Sequence, residues 1–335
     1  MTAPSRTTQR PARAAFRWAA DALRRELVAF RFDYPVEVVP GAAHAGSLHY
    51  HVRSAGLFAD AMQLDSAGVP LHRARTFTTY NAAYVAWYGL ARLDRFLAGH
   101  EPDGREAFLR QVRWLAAHAV RRDDGAVMWP LTIDWQEGAC RLVPPWISAM
   151  SQGLAISALV RAHRLSGDPL LLTVARDASA VFDKSVEDGG LRTLVAGHAL
   201  YEEYPAYPLP RVLDGFLFGL LGLYDLSVSG DARAGQLFAD GVAGLVRTVP
   251  FWDYRGAWSW YGAHGYLCPP HYHRLNTALL AVVGALAGES ALLRRARAWG
   301  AAPRSARERA EIFLVFVLTK NWARLRFAWQ RTRGR

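Results

Sequence analysis

Four times along this chain an apolar stretch with helical spacing stops at a glycine. Tyr84 to Ala98 closes at Gly99, and Gln152 runs to a stop at Ser166-Gly167-Asp168. Asp214 leads to Ser229-Gly230-Asp231, and Asn276 to Ala287 closes at Gly288-Glu289. Glycine enters the left-handed conformation that ends a helix without a Cβ penalty, so each stop reads as a C-cap. Return helices are expected from Pro169 to Val181 and from Ala232 to Val246. In the first hairpin, Tyr84, Tyr88, Leu90, Leu93 and Leu97, then Phe108, Val112, Leu115 and Val120, keep the three- and four-residue spacing of amphipathic helices. A lone helical hairpin cannot bury its apolar face, so such units must stack. The two Gly-Asp stops lie roughly 60 residues apart, further than the ~33–47 residues of small solenoid repeats. The pattern therefore predicts a mainly α fold, an incomplete (α/α) toroid of about four stacked hairpins.

Residues 30–80 read as the only extended non-helical stretch. Val36-Glu37-Val38-Val39-Pro40, Leu48 to Val52 and Phe77-Thr78-Thr79-Tyr80 are β-branched or aromatic and broken by Gly and Pro, which predicts a short N-terminal segment of strands and loops. The expected division is a basic helix or arm over 1–30, strands and loops over 31–80, the toroid over 81–304, and a basic amphipathic helix over 305–335. Two long connections, 184–213 and 249–274, should meet at one end of the toroid. Loops of that length in a compact domain are usually functional.

With 51% hydrophobic and 21% charged residues over 335 positions, the chain can bury a full core without staples. Cys140 and Cys268 are too few to be a disulfide framework. No run reaches the ~18 apolar residues of a membrane span, and the N-terminus lacks the apolar core of a secretory signal. A cytoplasmic location is expected, with peripheral contact at the inner face of a membrane allowed. The net charge of +11, much of it in arginines at the two ends, reads equally as genome composition and solubility or as the mark of an acidic partner. Nucleic acid has charge alone in its favour and no recognised motif. An acidic polysaccharide and an anionic membrane surface fit better. The segment from Ile312 to Trp329 mixes aromatic residues with arginines, as a membrane-surface helix does, although packing its apolar side on the domain is the simpler use.

Chemistry concentrates in three islands. Tyr201-Glu202-Glu203-Tyr204-Pro205, Trp258-Ser259-Trp260-Tyr261 and His271-Tyr272-His273-Arg274 are dense in groups that can take a proton from one face of a sugar and return one to the other. The histidines at 271 and 273 lack the usual spacing of zinc ligands and have no completing set, so neither a metal nor any cofactor is expected.

The motifs have a known counterpart. Pro145-Trp146-Ile147-Ser148-Ala149-Met150-Ser151-Gln152-Gly153 resembles a motif of D-glucuronyl C5-epimerases, which convert glucuronate to iduronate in heparan-type chains. Glu202-Glu203-Tyr204-Pro205, Val212-Leu213-Asp214-Gly215-Phe216 and Leu220-Leu221-Gly222-Leu223-Tyr224-Asp225-Leu226 resemble that family's next stretch, and Gly256 to Tyr261 and Tyr272-His273 its last two tyrosine motifs. The likeness covers roughly residues 75–285. It implies an (α/α)-toroid catalytic domain, a uronate polysaccharide substrate, and an acid–base set of Glu203, Tyr204, Tyr261 and Tyr272. The substrate contacts it implies are Trp146, Ser148, Met150, Gln152, Arg211, Asp214, His273 and Arg274. Trp146 serves equally as core or as a sugar-stacking face, and helix capping alone would account for Asp214. Glu202 reads as solvated or as an arginine partner. Ile147 stands where the family has an aromatic residue, Asp214 where it has Asn, Gly262 where it has Asp and Asn276 where it has His. A polysaccharide lyase using the same C5 proton abstraction, and a glycan-binding protein without turnover, are the alternative readings. A homodimer is compatible with either.

Overall fold

The computed structural model describes residues 21, 23–39, 46–54, 62–74 and 76–333. Most of the expected arm at 1–30 lies outside them. Helix α1 covers residues 23–31. Four hairpins follow: α2 (Ala82–Leu97) with α3 (Gly104–Ala117), α4 (Ala149–Ser166) with α5 (Pro169–Ser179), α6 (Leu213–Ser227) with α7 (Ala232–Thr248), and α8 (Pro270–Leu286) with α9 (Ser290–Gly300). The first helices of the pairs form a row, α2 on α4, α4 on α6 and α6 on α8, and each carries its return helix outside. That arrangement is consistent with an incomplete toroid.

Inner and outer helices differ as their burial requires. Most of α4 and nearly all of α6 are buried, and α6 lacks a polar stripe. The return helices bury one face, for example Leu172, Ala175 and Ala178 of α5. Gly99, Gly167, Gly230 and Gly288 all have the left-handed backbone expected of them, with φ between 68° and 92°. Asp168 and Asp231 then cap α5 and α7, accepting from the N–H groups of Leu170 and Ala234.

The inner row is held at its centre by glycine. A Cβ on Gly153 of α4 would run into the Phe218 carbonyl of α6, and one on Gly222 into the backbone of Gly153. The two helices cross backbone on backbone, which explains glycines at these motif positions.

Short strands decorate this frame. β1 (Val36–Val38) pairs with β2 (Val52–Ser54), and β3 (His72–Arg73) with β4 (Thr78–Thr79), all antiparallel. The β1–β2 hairpin touches α8 on one side and α2 on the other, spanning the first and last inner helices. The 30–80 segment is not the only non-helical stretch. β5 (Val120–Arg121), β6 (Val127–Met128), β7 (Trp135–Glu137) and β8 (Cys140–Leu142) make two hairpins between α3 and α4, and Val120 is strand, not helix. β9 (Arg192–Val195) with β10 (His198–Tyr201), and β11 (Asp253–Tyr254) with β12 (Trp258–Ser259), lie in the two long connections.

Helix α10 (Ala306–Arg333) follows α9. It buries Ile312 and Phe316 against Trp258 and Leu267, a small core separate from the main one. No described helix is long and apolar enough to cross a membrane.

Candidate active site

Glu203 and Tyr204 follow directly on β10, Tyr261 follows β12, and Tyr272 lies in the first turn of α8, whose start is set by Pro269 and Pro270. The 271–274 island is therefore helix, not connection, because proline is well tolerated at a helix's first position. The three tyrosines are half-buried and share one neighbourhood. The rings of Tyr261 and Tyr272 meet edge to face at 5.3 Å, and Tyr261 stacks on Tyr266 at 5.4 Å. Tyr204 feels the charges of Glu203 and Tyr272, that of its neighbour Glu203 first. Tyr261 in turn feels Tyr272 and Tyr204.

The two long connections do meet. Ala263 donates its N–H to the Pro210 carbonyl at 2.7 Å, and the Trp252 indole N–H reaches the Arg211 carbonyl at 2.8 Å. Gly262 sits in this seam, where a Cβ would collide with the Pro210 carbonyl and crowd His264 Nδ1 at 3.1 Å. The close approach leaves no room for the aspartate expected there. Gly215 plays a similar part at the start of α6, where a Cβ would occupy the space of the Glu203 side chain.

Helix starts converge on the same region. Asn81, the N-cap of α2, lies 3.3 Å from the Ser151 hydroxyl in the first turn of α4, and the Ala149 N–H at the start of α4 bonds the Glu202 carbonyl at 3.2 Å. Asp214 occupies the first turn of α6 and Tyr272 that of α8, and the charge of Asp214 bears on Tyr272. Four helix N-termini, each with a partial positive charge, thus lie in this region.

Burial dominates the electrostatics. It pushes the Glu203 carboxyl well above the ordinary range, with the Asp214 charge adding to the rise. The Asp214 carboxyl is pushed up to about 6 by burial, against the backbone N–H groups of Asp214 and Gly215, which favour its charge. Tyr204, Tyr261 and Tyr272 all rise, first through burial and then through neighbouring acids and phenols. Glu203 Oε2, Asp214 Oδ1 and Asn276 Oδ1 are buried without a protein partner. Asn276 stands one turn beyond Tyr272 on the same face of α8, and its amide reaches Cys268 Sγ at 3.4 Å.

The expected contact residues divide. Trp146 lies 5.9 Å from the Tyr204 ring, with its indole N–H on the Ile133 carbonyl at 2.9 Å. Its exposed side lines a recess of about 340 Å³ with Met128, Pro145 and Pro205. Ser148 is the buried N-cap of α4, and Met150 packs against the core. Arg211 turns the chain through a left-handed backbone, φ 51°, and its charge bears on Glu202. Glu202 itself is buried, not solvated, with Thr193 Oγ1 donating at 2.8 Å.

Three expectations are corrected. Gln152 is fully buried, its amide donating to the Val127 and Ala178 carbonyls and its carbonyl accepting from the Trp129 N–H, so no atom is left for a ligand. His273 is stacked on Trp258 at 3.7 Å, with Nδ1 accepting from the Ser259 N–H at 3.1 Å. Burial lowers its pKa to about 3, so it carries no charge for a carboxylate. Arg274 pairs with Asp33, and both His273 and Arg274 line a different cavity, of about 790 Å³ beside α10, that none of the four acid–base candidates lines.

Sequence reading missed other members. Glu137 of β7 acts electrostatically on Tyr204, Tyr261 and Tyr266, and contacts His264 Nε2 at 3.0 Å. His264 stands 5.1 Å from the Tyr261 ring. Both line a second recess, of about 210 Å³, with Arg326 and Phe327 of α10. Tyr34 and Tyr84 each bear on Tyr272. No motif marks these residues, because their relation exists only in space. Among the described residues, no three His, Cys, Asp or Glu side chains are grouped to hold a metal ion.

Residues 122–301 match the family model described as the D-glucuronyl C5-epimerase C-terminus. The chain is 32% identical over 213 residues to D-glucuronyl C5-epimerase of Caenorhabditis elegans, covering 58% of this chain and 34% of that protein. It is 29% identical over 159 residues to an uncharacterised protein of Methanocaldococcus jannaschii, covering 46% of this chain and 51% of that one. It thus spans about a third and a half of the lengths of these relatives. With more than half of its length matched by the family model, the chain belongs to the D-glucuronyl C5-epimerase C-terminus family.

Proposed function

We propose that this chain inverts C5 of D-glucuronate units in a heparosan-like acidic polysaccharide, giving L-iduronate, with Glu203, Tyr204, Tyr261 and Tyr272 as the acid–base set. The observation that carries the proposal is the meeting of a Glu203–Tyr204 pair and a Tyr261–Tyr272 pair where four helix starts converge.

The chemistry asks for this combination. The hydrogen on C5 is α to a carboxylate, and its removal puts a second negative charge on that group. Helix N-termini stabilise such charge without a counterion. Tyr261 and Tyr272 touch each other, too close to hold a sugar ring between them; in the proposed mechanism they act from one side of the sugar and Tyr204 with Glu203 from the other. One phenol enters the reaction as phenolate, its proton held by the Glu203–Asp214 carboxyl pair. It takes the C5 proton, and a phenol on the opposite side returns one to the other face. The high pKa of Glu203 narrows the gap to the phenols that this transfer must cross. Trp146 supplies a stacking face for a neighbouring sugar, and the basic balance of the chain draws in the polyanion.

The test is incubation with heparosan in deuterium oxide, with label at C5 read by NMR. Tyr204→Phe and Tyr261→Phe should each lower the exchange rate by roughly 10²-fold or more with the fold unchanged by circular dichroism. Full exchange in both variants would overturn the assignment. An unsaturated, ultraviolet-absorbing uronate would make the protein a lyase, and binding without label a glycan-binding protein.

A further inference from the structure

Helix α10 has two apolar faces, and the described residues cover one. Ile312, Phe316, Ala323 and Phe327 are buried against the body of the molecule. Leu314, Leu318, Trp322, Leu325 and Trp329 are each 52–67% exposed. At 100° per residue these five fall within one stripe about 80° wide, nearly opposite the buried face. The stripe runs for about 22 Å along the helix. A soluble helix normally turns a polar face outward, and isolated exposed apolar residues mean little. Five in register over four turns are a surface made for something.

From this stripe we infer that α10 docks flat on an anionic lipid bilayer, beyond the polysaccharide chemistry proposed above. Three observations select that occupant. Charge is the first: the whole chain is at +11, and the basic residues of α10 outnumber its two glutamates, Glu308 and Glu311. Two copies meeting through this face would bring like charges together, whereas acidic head groups neutralise them. The second is residue type. Trp322 and Trp329 are the amphipathic aromatics favoured at a membrane–water boundary, and the leucines beside them supply the apolar contact. The third is anchorage: the Glu26 carboxylate of α1 pairs with Arg324, and Arg326 donates to the His264 carbonyl at 2.6 Å. These contacts hold the flanks of the helix to the protein, so docking needs no unfolding. Because no described helix can span a bilayer, the contact is with its surface.

The geometry also has a consequence for the candidate site. Arg326 and Phe327, on the inward side of α10, line the recess beside Glu137 and His264. A membrane-bound α10 would therefore hold that recess close to the lipid surface.

The probe is sedimentation of the full chain with phosphatidylglycerol vesicles and with phosphatidylcholine vesicles, at low and high salt. Expected is binding to the anionic vesicles that weakens with salt and is at least about tenfold weaker on the zwitterionic ones. Leu318→Gln combined with Trp322→Gln should lower that binding by about tenfold or more, because both side chains leave apolar contact with the bilayer. Both positions are exposed, so the variant should keep the parent's thermal midpoint. Absence of binding to either vesicle, or equal binding by parent and variant, would overturn the inference. So would an analytical ultracentrifugation result in which the parent is a dimer and the variant a monomer, since the stripe would then be an interface between copies.

Discussion

The Asp214 carboxyl, buried beside Glu203, ionises at about pH 6 in the folded protein and near 3.8 when unfolded. The native state thus holds the proton more tightly. The stability this brings is complete below the unfolded value and is lost as pH rises through about 6. Above that pH the fold carries a buried charge costing roughly 2–3 kcal/mol. Asp214→Asn should therefore be more stable than the parent by up to about that amount near pH 7.5, with the two converging below about pH 4. Urea denaturation across this range checks it, and an equal difference at both ends would contradict it. The substitution also installs the amide that the resembled motif has. Residue roles were legible only in part. The motifs pointed to Glu203 and the tyrosines, which do lie together, but not to which way a neighbour points. Tyr272 and Arg274 are two positions apart in sequence and about 200° apart around α8, so one joins the cluster and the other faces Asp33. Gln152 belongs to a motif because it ties three backbone segments together, which no sequence pattern distinguishes from ligand contact.

At the scale of elements, the crossing of α4 and α6 is the most constrained contact. Gly153 and Gly222 allow the two backbones to touch, and a methyl group at Gly153 would have to push against the Phe218 carbonyl, which cannot rotate away. Gly153→Ala should cost about 3 kcal/mol, at the upper end of overpacking penalties. Chemical denaturation would read this as a lower midpoint at unchanged slope, and a loss under 1 kcal/mol would mean that the helices part easily. The hairpins themselves were plain in the sequence, since a helical period ended by glycine has one physical reading. The strand hairpins between α3 and α4 were not. Their strands are two or three residues long, and Trp135-Gln136-Glu137 offers too little alternation to stand out. The start of α8 was misjudged for a related reason. Pro269-Pro270 looks like a loop until the second proline proves to be the first residue of a helix.

Taken whole, the molecule must keep α2 and α8, its first and last inner helices, in place. The β1–β2 hairpin touches both, and a buried ionic network fastens it. His51 beside β2 contacts Asp225 of α6 at 2.8 Å, Arg161 of α4 pairs with the same carboxylate at 2.6 Å, and its guanidinium also donates to the His49 carbonyl at 3.0 Å. Although burial works against it, the charges of Arg161 and His51 hold the Asp225 carboxyl well below the usual range. Removing the carboxylate leaves Arg161 buried and unpaired. Asp225→Ala should accordingly cost about 3–5 kcal/mol. The loss should not be uniform. Residues 46–54 would be released from the core first, so hydrogen exchange should speed up there before it does in α4 or α6. The effect also reaches the candidate site, because Tyr34, just before β1, and Tyr84 of α2 both bear on Tyr272. With the hairpin loosened, C5 deuterium exchange should fall even under conditions where the variant remains folded. A variant that loses stability evenly and keeps full exchange would show that the hairpin decorates the ring without holding it.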